Sequence, residues 1–326
     1  MNIKKIGMSA LAASLVSLSA QAGEMTVSGS AAMTYENYST TDTAAAASNN
    51  KTFTQANVLN FTGSGELDNG LTVNLAFELD EGANSGDTEN NLFDNHSVSV
   101  GSDSMGTFVL AGHGGSSAQS ALDTTAAGDI WDNFDGTAGI GATEVFNSSK
   151  AGNNIMKYTL PEMNGLSAAV SYQAGGNTDA GAGSSTAYGV TYTGVEGLTV
   201  SYGYGEDNDT ASDEREVTTL SGSYAYSSVT VGYSQSENDA TVANTDQELT
   251  SYAITYTVND ELSISYGEET MEEDAEAVDS EYTSISAAYT TGGMTITAGT
   301  QSAENADGTA TDKDVDYNYL GFSFAF

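Results

Sequence analysis

Asp314–Phe326 reads DVDYNYLGFSFAF and stops on an aromatic residue. Successive side chains of a β-strand point to opposite faces. Leu320, Phe322, Phe324 and Phe326 therefore share one face, and Tyr319, Gly321, Ser323 and Ala325 the other. The pattern recurs upstream. In Leu71–Leu79, Leu71, Val73, Leu75, Phe77 and Leu79 alternate with Thr72, Asn74, Ala76 and Glu78. A soluble sandwich also alternates, but it buries its apolar faces against each other. Here the second rows are Ser, Thr, Gly, Ala and Asn almost throughout, too polar to build a core. The apolar rows then face lipid, and the chain reads as an all-β transmembrane barrel with a wet lumen.

The start of the chain fits a secretory leader. Lys4 and Lys5 precede an apolar and small-residue run from Ile6 to Leu18, and Ala20-Gln21-Ala22 forms an A-x-A cleavage site. The expected division is residues 1–22 as signal peptide and 23–326 as barrel. The run is too short to cross a bilayer as a helix. A closed barrel is the other architecture that pairs every backbone group internally. Cleavage after Ala22 leaves five basic residues against 45 acidic ones, a net charge of −40. That excludes nucleic acid as a partner, since phosphate binding needs Lys and Arg. Without Cys there is no disulfide framework and no thiolate metal site.

Sixteen strands are expected, an even number as in antiparallel barrels. They pair around short turns such as Asp68-Asn69-Gly70, Ser104-Met105-Gly106, Pro161–Gly165, Glu196-Gly197, Ser227-Ser228, Asn259-Asp260 and Gly292-Gly293. Several strands are read as short, among them Val229–Ser234, Leu262–Tyr266 and Met294–Gly299. The long connections between them then hold most of the acid, including Glu206 and Asp207, the run Glu268–Asp274, and Glu304. Short turns at one end and long loops at the other are the asymmetry of an outer-membrane barrel. Tyr35, Tyr172, Tyr204, Tyr266 and Tyr289 lie near strand ends, where aromatic belts form.

The opening EMTVSGSAAMTY (Glu24–Tyr35), the segment MGTFVLAGHGGSS (Met105–Ser117) and the closing YLGFSFAF (Tyr319–Phe326) give the chain its resemblance to the general-diffusion porins of Gram-negative outer membranes, in particular the acidic porins of alphaproteobacteria. The resemblance implies a 16-stranded antiparallel transmembrane β-barrel in the cell outer membrane, with the third external loop folded into the lumen. It also implies a homotrimer, and Phe326 as the signal read by the barrel-assembly machinery. Gly114–Lys150 occupies the position of the inward loop. That family usually opposes an acidic loop with a cluster of basic residues on the wall. This chain departs from it: Lys51, Lys150, Lys157, Arg215 and Lys313 are scattered, and only Lys157 and Arg215 fall on lumen-facing rows by alternation.

Carboxylates along a narrow passage concentrate cations and repel anions. Asp129, Asp132 and Asp135 are the expected constriction groups, with Asp123, Glu144 and the inward Glu78 behind them. These Asp residues also suit turns and caps within the loop. Trp131 and Phe134 are expected either to contact solute or to anchor the loop. Asp132–Gly136 and Glu268–Asp274 offer clustered oxygens, but neither has EF-hand spacing, so the expectation is no cofactor and at most loosely bound Ca²⁺. His96 and His113 complete no evident catalytic arrangement, and the chain is not read as an enzyme. The primary reading is a passive, cation-preferring pore for small hydrophilic solutes and ions. The alternatives are an adhesive surface barrel with a closed lumen and acidic loops, and a substrate-specific channel.

Overall fold

The computed structural model describes residues 25–40, 51–80, 95–134, 145–175, 183–208, 214–308 and 314–326. The leader expected over residues 1–22 lies outside them. Sixteen strands run in chain order: β1 (Met25–Thr40), β2 (Lys51–Glu66), β3 (Thr72–Asp80), β4 (His96–Ser102), β5 (Gly106–His113), β6 (Ile155–Thr159), β7 (Leu166–Gln173), β8 (Ser184–Val195), β9 (Leu198–Asn208), β10 (Arg215–Tyr226), β11 (Val229–Ala240), β12 (Gln247–Thr257), β13 (Leu262–Glu273), β14 (Ser280–Thr291), β15 (Met294–Glu304) and β16 (Val315–Ala325). Each pairs antiparallel with its sequence neighbours, and β1 pairs with β16 to close the ring. Closure removes both sheet edges, the condition for leaving a β-structure in lipid. Among the described residues no helix is long and apolar enough to cross a membrane.

The seam shows how the last residues complete the ring. Met33 sits opposite Phe322 and Tyr35 opposite Leu320. Gly29 and Phe326 exchange backbone hydrogen bonds of 2.9 and 3.0 Å. A Cβ at Gly29 would lie 2.9 Å from the Phe326 ring, so the glycine makes room for the terminal aromatic. At the other hairpins the turn chemistry is local. Asn164 and Gly165 both take positive φ (54° and 78°), the type I′ geometry that matches strand twist between β6 and β7.

The outward rows carry the apolar side chains: Leu75 and Phe77 on β3, Ile254 and Tyr256 on β12, Phe322 and Phe324 on β16 are all exposed. The structure departs from the sequence reading in two ways. First, strands β9–β15 run further towards the long-loop end than their apolar patterns suggest. The outward row turns acidic there while the ladder continues, so Glu206, Glu268, Glu272 and Glu304 are strand residues and not loop residues. Second, the lumen is not uniformly polar. Inward Val217, Leu249, Met271, Tyr282, Ala303, Val315 and Tyr317 form one apolar cluster with Ile130, Phe134 and Phe146 of the long loop. The wall alone has no core. The loop brings the missing half.

Candidate functional site: the lumen and its inner loop

A loop inside a barrel must satisfy its backbone groups, because it has no ladder of its own. Here the wall supplies the partners, one strand after another. The Ala118 N–H donates to Ser171 Oγ on β7 at 2.8 Å, and Gln119 Nε2 donates to Thr219 Oγ1 on β10 at 3.0 Å. The Ala126 N–H reaches Ser234 Oγ on β11 at 2.9 Å, and the Ala127 N–H reaches Ser251 Oγ on β12 at 3.0 Å. The small polar residues of the inward rows thus act as docking points for the chain they face.

Glu269 on β13 is the strongest of these points. Its side chain is 2% exposed. Its carboxylate accepts from Thr125 Oγ1, from the Trp131 N–H at 3.0 Å and from the Ile130 N–H. Thr125 also accepts from the Asp129 N–H at 2.7 Å, while Asp129 Oδ1 accepts from the Thr125 N–H at 2.9 Å. Asp129 has φ 54°, a left-handed conformation that Asp tolerates better than most residues. Its carboxylate therefore holds this turn.

Beyond the turn a short 3-10 segment, Trp131–Asn133, carries the loop to the seam. Phe134 is 1% exposed and meets the Tyr282 ring at 5.7 Å and the Tyr317 ring edge-on at 6.5 Å. Tyr317 stacks on Tyr38 at 4.4 Å and on Tyr319 at 5.3 Å, and Tyr38 OH donates to the Asn133 carbonyl at 3.1 Å. Trp131 packs against the same cluster. The return limb is held too. The Asn147 N–H donates to Gln247 Oε1 at 3.0 Å, the Ser149 N–H to Gln119 Oε1 at 2.9 Å, and the Lys150 N–H to Asp207 at 3.0 Å. The described parts of the loop line the β7–β16 wall and reach β1, and beyond Ser116 they leave the β2–β6 wall uncovered.

The remaining expected residues fall as follows. Asp123 is partly buried on the loop and hydrogen-bonded to Ser148, and burial, with Asp129 nearby, pushes its carboxyl up to about 6. Asp132 is exposed. Asp135 and Glu144 lie outside the described residues. Glu78 faces inward on β3 and accepts from Asn95 Nδ2 at 2.6 Å. Lys157 lies opposite Val109 and Ser171 on inward rows, and Arg215 lies opposite Asp207, with which it interacts electrostatically. The run Glu268–Asp274 is split by strand alternation, and among the described residues no cluster of three His, Asp or Glu is arranged to hold a metal.

Sequence reasoning missed Glu36, Asp207, Gln247 and Glu269. Glu36 faces inward on β1 and accepts from Tyr317 OH at 3.2 Å and Thr54 Oγ1 at 3.3 Å. Its phase with Ser30, Ala32 and Thr34 carried the signal. Glu269 shares the phase of Ser263, Ser265 and Gly267, but it lies past Tyr266, the last apolar residue of the strand's outward row.

Comparison with known proteins follows the same lines. The model of the Gram-negative porin family matches residues 8–281. No curated protein matches. Among solved structures the chain is similar to the anion-selective porin from Comamonas acidovorans, with TM-score 0.65 and 14% identity, over 94% of this chain and 100% of that one. It is also similar to a loop L8 deletion mutant of OmpT, an outer membrane protein of Vibrio cholerae, with TM-score 0.68 and 16% identity, over 93% and 100%. A third is Salmonella typhi OmpF in complex with daunomycin, with TM-score 0.66 and 13% identity, over 93% and 97%. At these identities the likeness is one of fold. The family consists of non-enzymatic channels. With a closed 16-stranded barrel, a lipid-type exterior and a family match over most of its length, the chain belongs to the Gram-negative porins, the outer-membrane diffusion channels of Gram-negative bacteria.

Proposed function

We propose that this porin is a passive, water-filled channel that prefers cations and passes small hydrophilic solutes and ions. One observation carries the preference: the charge balance around the open side. Glu36 and Glu78 stand on inward rows of the wall and Asp123 and Asp132 on the loop, and Lys157 is the one Lys or Arg on the described inward rows of β1–β6. Arg215 sits beside Asp207, which offsets its charge. Excess carboxylate in a confined passage raises cation occupancy and excludes anions.

In this reading Asp123, Asp132 and Glu78 set the field, joined by Asp135 and Glu144. Asp129 shapes the turn that presents them, Trp131 and Phe134 anchor the loop, and Lys157 and Arg215 are the lumenal cations. The pore works as a homotrimer. The leader over residues 1–22 is cleaved on export, and Phe326 is read by the barrel-assembly machinery. The zero-current potential of purified protein in a planar bilayer across a KCl gradient tests the preference. A potential towards the K⁺ Nernst value, reduced by Asp123→Asn and Asp132→Asn, is expected. A potential of the opposite sign overturns it.

A further inference from the structure

We infer that the lumenal cavity between β2 and β6 is a binding subsite for a short zwitterionic peptide, a di- or tripeptide with small apolar side chains; this rests on the open diffusion channel proposed above. The cavity encloses about 310 Å³, room for one small molecule. Its polar groups include Asn60, Glu78, Asn95, Ser97, His113 and Lys157. Its apolar lining includes Ala76, Val109, Ala111 and Ile155, of which Ala111 and Ile155 are buried under Gly115 at the start of the loop. Ala76 and Val109, half-buried on the inward rows of β3 and β5 and away from the loop-packing cluster, form a small apolar floor.

Two charges stand at the edges of that floor. Lys157 has no hydrogen bond or ion pair with any described residue. Glu78 is held in place by Asn95, through Nδ2 to Oε1 at 2.6 Å and between backbones at 2.8 Å, and only Oε1 of the carboxylate is engaged. The two line one cavity without pairing, because the register separates them. Lys157 is level with Val109, Ser99 and Asn74 on successive strands, and Glu78 is four residues further along β3. At strand spacings of ~4.8 Å and ~3.3 Å per residue their Cα atoms are roughly 19 Å apart, and the two side chains span about half of that. The gap is about 10 Å, the length of two to three extended residues.

That geometry selects by charge and length. A carboxylate meets Lys157 and an ammonium meets Glu78, both as charge-assisted hydrogen bonds. A simple anion has only Lys157 against an acidic lumen, and a simple cation leaves Lys157 unanswered. A single amino acid is too short to engage both. Methyl-sized side chains between the two ends lie on the apolar floor.

The test is single-channel recording of the full protein with trialanine. Transient current interruptions that saturate with trialanine concentration are expected. L-alanine, N-acetyl-trialanine and trialanine amide, which lack the length, the ammonium and the carboxylate respectively, should give none. Lys157→Gln or Glu78→Gln, each checked for a heat-modifiable folded barrel, should weaken the interaction at least about tenfold. The double exchange Glu78→Lys with Lys157→Glu should restore it, with the peptide reversed, which a general disturbance of the wall would not do. Interruptions unchanged in both single variants overturn the subsite. A conducting, cation-preferring pore without interruptions overturns the subsite alone and leaves the proposed function standing.

Discussion

Asp123 is the loop carboxylate whose ionisation is set by its surroundings. Burial and the neighbouring Asp129 hold its proton, and the Ser148 hydrogen bond only partly offsets them. With its carboxyl near 6, the group is charged above that pH and neutral below it. Cation preference should therefore fall as pH drops from about 7.5 to about 5, one to two units above the range of an ordinary carboxylate. The reversal potential measured against pH should show this step in the wild type, and Asp123→Asn should remove it. A step that persists in the variant would assign the titration to another group. Asp129 should behave differently, since its carboxylate bonds the Thr125 N–H. Asp129→Asn keeps an acceptor at that position and should alter selectivity little, whereas Asp129→Ala should broaden the conductance levels by loosening the turn.

The inner loop behaves as an element because the wall binds it along its length. Glu269 is its central fastening, and removing it leaves the Trp131 and Ile130 N–H groups without their acceptor at a cost of about 1–3 kcal/mol each. Glu269→Ala should raise single-channel conductance and admit larger neutral polymers while the barrel itself stays folded. Glu269→Gln, which retains an acceptor, should fall between the two. Unchanged conductance and exclusion size in a folded Glu269→Ala pore would show that the aromatic contacts alone fix the loop. Those contacts are substantial. Phe134→Ala removes a ring packed on Tyr282 and Tyr317, a change of about 3–5 kcal/mol for a buried Phe, and should increase current noise at the loop end. The barrel was legible from sequence because lipid imposes a simple rule on every outward row, as in Leu71–Leu79. The fastening was not legible, because Ser234, Ser251 and Glu269 resemble ordinary lumen-lining polar residues until the loop is laid on them. The apolar inward residues are spread one or two per strand, from Val217 to Tyr317, and form a cluster only in three dimensions. Glu269 was hidden further because an acidic run reads as loop once the outward apolar row ends.

At the scale of the whole molecule the same charge acts in opposite ways inside and outside. On the outer surface, above the apolar band, the ladder places carboxylates directly opposite one another: Glu206 with Glu216, Glu237 with Glu248, Glu248 with Glu272, and Glu281 with Glu304. Like charges directly opposite on a sheet destabilise it. The Gln235 amide bridges one such pair, donating to Glu248 at 2.8 Å and Glu237 at 3.2 Å. The strands continue through this region because their backbone bonds and the buried inward side chains outweigh the repulsion. Dissolved salt screens both the outer pairs and the lumen, as the Debye length falls from about 10 Å at 0.1 M to about 3 Å at 1 M. Raising KCl over that range should therefore raise the temperature at which the folded barrel loses its heat-modifiable migration. Over the same range the K⁺/Cl⁻ permeability ratio should decline, since the lumenal carboxylates lose reach. Neutralising the outer row with Glu216→Gln and Glu248→Gln should flatten the salt dependence of stability and leave that of selectivity intact. If both dependences flatten together, the outer carboxylates contribute to the field in the pore, and the division between a structural exterior and a selective interior fails.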